Sequence, residues 1–500
     1  MEENIARLKT LLAEWFDLDR ASYLLEWDQQ TYMPVKGIDA RGQQIGTLRK
    51  LAHERLTSDE VGRLLEELQP YAAQLHPDSD EARLVKVTQR KYDKKTRVPP
   101  AMVAELAELG AAGYAAWQVA RAESNFAIFR PQLEKIVDFR RRFSALFAPY
   151  DHIYDPLLDE YEPGMKTAQV QAIFSALRPQ QVELIRAITA RPQVDDSFLH
   201  QDFEEQRQWD FGVEVVTKFG YDWQRGRQDR SAHPFTTSFA IDDVRITTRF
   251  LKDYAGSALF STMHETGHAF YELGFDRALD RTPLAERASM AIHESQSRLW
   301  ENLVGRSLPF WEHFYPRLQE TFPAQLGNVS LMAFYKGINR VQPSLIRVEA
   351  DEATYNLHIM LRMELEIALI EGTLEVKDLP GAWNARMQEY LGLTPPNDAL
   401  GVLQDIHWAD GYIGYFPTYA LGNLVSAQLW ERVTADIPDL TDQIRSGRFD
   451  ALLGWLGEKV HRHGAKLEPQ ELVERVTGSG FDPAPYMRYL RKKYSQIYSL

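Results

Sequence analysis

Residues 235–250 read FTTSFAIDDVRITTRF. Two β-branched, aromatic-rich runs flank the turn-forming pair Asp242-Asp243, which predicts a β-hairpin. Nowhere else in the 500 residues does strand signal gather. Upstream, apolar residues recur three and four apart over 44–67, 80–96, 101–124, 131–147, 167–191 and 203–219, and each stretch predicts a helix. Asp80 is placed to cap its helix, and the Val98-Pro99-Pro100 step separates two others. Residues 154–165 (YDPLLDEYEPGM) predict an irregular segment. Helical periodicity resumes from Ser257 to the end, with breaks near Gly274, Gly305, Pro380, Pro395-Pro396 and residues 411–417. The chain has no internal repeat, low-complexity tract or Ser/Gly-rich linker. The expectation is one continuous, mostly α-helical body over residues 1–500, in two lobes, with one small hairpin.

The stretch that follows the hairpin carries the chemistry. Residues 261–274 read STMHETGHAFYELG, so His264, Glu265 and His268 form an HExxH pattern. On a helix the two histidines are one turn apart and share a face. Two imidazoles so placed suit one Zn²⁺, and Glu265 is then positioned to take a proton from a water that the ion activates. Gly274 offers a C-cap. Zinc hydrolases commonly present a strand beside such a helix for the substrate to pair with, and the 244–247 run is placed for that. A catalytic zinc site wants a third protein ligand. Glu272 shares the histidines' helix and would approach from a poor direction. Glu294 lies on the next helix, which runs to Gly305, and Glu301 lies two turns further on the same face. Spacing ranks Glu294 ahead of Glu301 and leaves both open, with Asp276 and Glu286 also in range.

Composition narrows the alternatives. Lys and Arg total 57 and Asp and Glu 71, a formal net charge of −14. An acidic chain is a poor match for nucleic acid or an anionic membrane surface, which both want basic faces. The short basic runs at 91–97 and 488–493 read as solvated helix faces. There is no cysteine, which excludes disulfides, thiolate nucleophiles and Cys-type metal sites. Met1–Trp15 has Ile5, Leu8, Leu12 and Trp15 on one helical face, without the basic start and apolar run of a signal peptide. No run approaches the roughly 18 apolar residues of a membrane span. The default expectation is a soluble, cytoplasmic protein.

With these residues located, the sequence resembles the carboxypeptidase Taq family of zinc metallocarboxypeptidases. Besides HExxH, the family's signatures stand here in order: His233-Pro234-Phe235 for HPF, Asp243-Val244-Arg245-Ile246-Thr247 for DxRxT, and His293-Glu294-Ser295-Gln296 for HESQ. Ile346–Asp351 (IRVEAD) matches I/VRxxAD, and Gly401–Trp408 (GVLQDIHW) matches GxxQDxHW. Residues 117–131 also resemble a segment shared with related oligopeptidases. The resemblance implies an almost wholly helical fold with two lobes around a deep groove, similar to thimet oligopeptidase and angiotensin-converting enzyme, with the catalytic core motifs in 233–425. It implies release of single C-terminal residues from peptides with broad specificity, C-terminal proline disfavoured, zinc replaceable by cobalt, and a homodimer. It carries the ligand roles to His264, His268 and Glu294, and the general base to Glu265.

A carboxypeptidase also needs a fixed cation for the terminal carboxylate. Arg347 is the first candidate, with an ion pair to Asp351 as its alternative role; Arg245 is the second, unless Asp243 holds it. His407 is a candidate oxyanion donor if protonated. Tyr412, Tyr415 and Tyr419 offer phenols from the adjustable 411–422 segment, one of them to stabilise the transition state. His233 lines the groove or marks a turn, and Asp405 orients a metal-binding histidine or caps a helix. Two rival functions stay in view: an oligoendopeptidase of the same architecture, and a catalytically silent peptide-binding protein with structural zinc.

Overall fold

A computed structural model describes residues 1–500, and 67% of them are helical. The helices form where the periodicity placed them, with boundary differences that have local causes. The predicted 44–67 helix is two, Ile38–Leu56 and Asp59–Ala72, because Ser58 caps the second by accepting from the Val61 amide at 3.4 Å. Helix Asp80–Arg97 is capped by Ser79, not Asp80; Asp80 instead pairs with Lys466 at 2.6 Å. No helix is long and apolar enough to cross a membrane.

The hairpin is present as β2 (Thr236–Ala240) and β3 (Asp243–Thr248), antiparallel with a bulge between Ser238 and Ala240. A further strand, β1 (Gly226–Arg230), pairs parallel with β3, so the order is β1-β3-β2. This corrects the expected place for substrate: β3 is hydrogen-bonded on both sides, and only β2 has a free edge near the site. Val244 and Ile246 of β3 point into the core beneath the sheet. The Thr248 and Thr262 hydroxyls, 2.8 Å apart, tie β3 to the helix that follows.

Buried apolar side chains divide into two clusters of 63 and 55 residues. The first gathers the N-terminal helices, the sheet and helix Ala255–Leu273; the second gathers the helices of 117–188 and 353–421 with the C-terminal helix. Two helices lie on the seam. Met290–Arg298 gives Ile292 to the first core and Ala291 to the second; Pro417–Asp436 gives Val425 and Leu429 to the first and Leu421 and Leu424 to the second. A cavity of about 1190 Å³ opens between the two bodies, with Trp15 and Leu56 on one wall and Phe139 and Phe143 on the other. The seam is where side chains from both bodies meet that opening.

Candidate metal centre

Helix Ala255–Leu273 brings His264 and His268 together, ring centroids 4.8 Å apart. The seam helix Met290–Arg298 lies against it because Gly267 has no side chain. A Cβ there would stand 2.6 Å from the Gln296 carbonyl and the Ser297 Cα. Gly422 does the same from the other side, where a Cβ would meet Glu294 at 2.7 Å. Glu294 is thereby pressed toward the histidines from a helix hemmed in on both faces.

Hydrogen bonds fix the imidazole tautomers. His268 Nδ1 lies 3.0 Å from the His293 carbonyl, which can only accept, so Nδ1 carries the proton and Nε2 keeps its lone pair. His264 Nδ1 lies 2.9 Å from Glu301 Oε2, with the same consequence. Both Nε2 atoms face Glu294 Oε2, at 3.7 Å from His264 and 3.5 Å from His268, and the three donor atoms lie within 4.8 Å of one another. Tetrahedral zinc with bonds of about 2.1 Å holds its donors about 3.4 Å apart. The donor set and spacing fit such an ion.

Glu301 is thus the partner of His264 rather than a member of the converging set. The cause is local: Leu299–Val304 is a π-helical turn, which rotates Glu301 off the face that constant α-helical spacing assigns to it. Arg298, one turn after Glu294, donates to Glu294 Oε1 at 2.6 Å and approaches Glu301 at 3.3 Å. That leaves Glu294 Oε2 for the cluster. Glu272, Asp276 and Glu286 stand outside it: Glu272 lies 3.1 Å from His293 Nε2, Asp276 caps a turn at Ala278, and Glu286 pairs with Lys91 at 2.6 Å. Burial lowers His268 well below the usual histidine pKa. His264 is also pushed down by burial, but Glu294 and Glu301 outweigh this and raise it.

Glu265 is 6% exposed, and its Oε2 accepts from the Thr236 hydroxyl at 2.6 Å. The edge strand β2 therefore begins against this carboxylate. Burial raises the Glu265 pKa, opposed by His264 and the Thr236 hydrogen bond.

The model of the carboxypeptidase Taq (M32) metallopeptidase family matches residues 7–494. The chain belongs to this family. It is 41% identical over 485 residues to thermostable carboxypeptidase 1 of Thermus thermophilus, covering 95% of each chain. It is 38% identical over 501 residues to carboxypeptidase 1 of Bacillus subtilis, covering 99% of this chain and 100% of that one. The crystal structure of the M32 carboxypeptidase from Deinococcus radiodurans superposes with a TM-score of 0.96 at 40% identity, and each chain is covered in full. The chain is a metallocarboxypeptidase.

Within this M32 chain the remaining candidates fall into two groups. His407, Tyr415 and Tyr419 cluster: His407 Nε2 lies 3.2 Å from the Tyr419 hydroxyl, and Tyr415 and Tyr419 rings are 5.3 Å apart. Burial, with Arg347 adding to it, pushes His407 down to about 3, which favours the neutral imidazole with one N–H to donate. Burial pushes Tyr415 up to about 12, and the nearby Glu294 carboxylate adds to this. Tyr412 is 46% exposed, further out on the same segment. Glu366, which no motif or spacing singled out, pins this segment by accepting from the Trp408 indole at 2.7 Å and the Gly414 amide at 3.0 Å.

The cations and remaining polar residues have the following neighbours. Arg347 pairs with Asp405 at 2.9 Å, not with Asp351, and donates to the Tyr355 hydroxyl at 2.9 Å. Asp405 also holds Arg362, at 2.6 Å, and bonds to no metal-site histidine. Arg245 forks onto Asp243, two bonds of 2.8 Å, and stacks over Trp27. His233 is exposed, and its carbonyl accepts from the Ser231 hydroxyl. Thr236 and Arg298 escaped the sequence reading. Only Arg298 had a local signal, as a cation one turn beyond Glu294.

Proposed function

We propose that this metallocarboxypeptidase is a zinc enzyme that releases single C-terminal residues from short and unfolded peptides, with broad specificity and C-terminal proline disfavoured. The observation that carries the reading is the convergence of His264 Nε2, His268 Nε2 and Glu294 Oε2 with Glu265 beside them. These three residues would hold the ion, and Glu265 would be the general base and then the acid. When bound, the ion supplies Lewis acidity, which makes a water nucleophilic near neutral pH and polarises the scissile carbonyl. Glu265 takes the water's proton and returns it to the leaving amine. The edge strand β2 supports an extended substrate, since it starts at Glu265, whose carbonyl accepts from the Thr236 hydroxyl at 2.9 Å. A phenol from Tyr415 or Tyr419, oriented by neutral His407, donates to the developing oxyanion, with Tyr412 nearer the mouth. Arg347, 5.1 Å from the Tyr419 ring, is the first candidate to receive the substrate's terminal carboxylate and Arg245 the second, with His233 just before β2 as a further groove residue. Cobalt as a substitute metal, a homodimer and a cytoplasmic location belong to the same proposal and rest on the family resemblance.

Product mapping tests the activity. A mass-spectrometric time course on a free-ended peptide, with metal content measured on the same preparation, should show residues lost one at a time from the C-terminus by a zinc-loaded protein. Internal cleavage first would sink the proposal.

Glu301 offers a separate test of the ligand assignment. Its carboxylate fixes the His264 tautomer, so Glu301→Ala should weaken metal binding about 10–100-fold in chelator competition. Glu294→Ala should weaken it more. If the order reverses, Glu301 is the ligand.

A further inference from the structure

One fully buried carboxyl at the seam belongs neither to the converging donors nor to the base. Glu162 lies in the 154–165 segment, whose Tyr154, Leu157, Leu158 and Met165 pack in the second core. Its Oε1 accepts from the Ala291 amide at 2.6 Å, across 129 residues of sequence, and its Oε2 has no partner. Ala291 stands in the first turn of helix Met290–Arg298, one turn before Glu294. The neighbouring Met290 amide donates to the Tyr161 carbonyl at 3.1 Å. The first amides of a helix have no partner within it. Here two of them are taken by residues 161 and 162, and Ser289 takes the Ile292 amide at 3.1 Å.

This anchor supplies what the rest of the packing does not. Gly267 and Gly422 hold the helix sideways, but a glycine face opposes little sliding along the axis. The far end runs into the π turn at Leu299–Val304, which is no axial stop. The near end is therefore where the helix is fixed lengthwise. A slide of even one ångström would carry Glu294 Oε2 out of the spacing that its two imidazole partners require. The anchoring segment is itself braced on the phenol side of the site. The Tyr161 ring packs edge-on against Tyr415, centroids 4.9 Å apart, and the Tyr154 hydroxyl donates to Glu366 at 2.6 Å. A Cβ on Gly414 would stand 2.5 Å from the Leu157 carbonyl.

The helix needs an acceptor at this reach rather than a charge. Burial pushes Glu162 up to about 8, opposed by the Ala291 amide and the Ser289 hydroxyl. A neutral carboxyl still offers its C=O to Ala291, and a glutamine amide offers the same C=O. An alanine offers nothing and leaves the buried amide unsatisfied.

We propose that Glu162 is a positioning residue for the metal centre: by accepting from the Ala291 amide it fixes helix Met290–Arg298 along its axis and so keeps Glu294 Oε2 in register with His264 and His268. The inference rests on the ligand assignment above.

The test measures zinc affinity by chelator competition on the full-length protein, with wild type, Glu162→Ala, Glu162→Asp and Glu162→Gln. Glu162→Ala should weaken zinc about 10–100-fold, the usual cost of losing a group that orients a ligand. Glu162→Gln should stay near wild type. Glu162→Asp, whose carboxyl stops one methylene short, should fall between them, and it serves in place of the alanine variant if that one does not fold. Leu177→Ala opens a cavity in the second core, where Leu177 is fully buried. It should lower the urea midpoint and leave zinc affinity unchanged, which separates positioning from general loss of stability. In metal-free protein, hydrogen exchange of a peptide covering 290–298 should quicken in Glu162→Ala and not in Glu162→Gln. The proposal is overturned if Glu162→Ala and Glu162→Asp bind zinc like wild type, if Glu162→Gln falls as far as Glu162→Ala, or if Leu177→Ala loses affinity to the same degree. Wild type that takes up no zinc, or Glu294→Ala that binds it undiminished, would instead mark the failure of the ligand assignment.

Discussion

Glu265→Gln is expected to lower kcat by about 10²–10⁴-fold, or roughly 3–5 kcal/mol of barrier, while bound metal stays at the wild-type level. The separation of the two readouts follows from geometry. Glu265 is next to His264 in sequence but does not belong to the converging donor set, so losing its charge removes no ligand. Its own anchor is the Thr236 hydroxyl at 2.6 Å, and a glutamine carbonyl accepts that bond equally well. What the amide lacks is the basicity to take a proton from water. Elemental analysis and steady-state kinetics on the same preparation check the outcome. Parallel loss of metal and activity would make Glu265 a structural support of the ligands. Unchanged activity would remove it from the mechanism and favour a silent peptide-binding protein.

The features legible in the sequence were those set by local spacing. Helical period, the β2–β3 hairpin and the HExxH face all depend on residues within a turn or two of each other. Strand β1 was invisible because Gly226–Arg230 reads GRQDR, with no apolar alternation, and its partner is a parallel strand beyond a crossover. Glu294 against Glu301 stayed open on spacing because the comparison assumed one helical pitch, and the π turn at Leu299–Val304 breaks that assumption. Arg347 was matched to Asp351, four residues on, by a local rule; the fold instead supplies Asp405 from 58 residues away. The net charge of −14 gave no hint that the cavity wall would be basic, since a sum over the surface says nothing of how charge is distributed.

Asp405→Ala is expected to destabilise the protein by about 3–5 kcal/mol, the largest stability effect that a single side chain in the site should produce. Asp405 is 10% exposed and sits between two guanidiniums, Arg347 at 2.9 Å and Arg362 at 2.6 Å, and Arg362 is fully buried. Burial opposes ionisation of Asp405, but the two arginines outweigh it and hold the carboxyl well below the usual range. Burial brings Arg362 down to about 10 even with this partner present. Truncation leaves two positive charges in a site that water reaches poorly, and their repulsion adds to the desolvation cost. The effect should therefore be non-additive. Adding Arg347→Met to Asp405→Ala removes one orphaned charge and should return part of the lost stability, measured as the urea midpoint of the double variant against the single one. Activity should not return with it, because Arg347 lies under the Tyr419 ring, 5.1 Å from its centroid, and Tyr419 is the partner of His407. If Asp405→Ala moves the midpoint no more than an exposed surface substitution does, the two arginines are solvated.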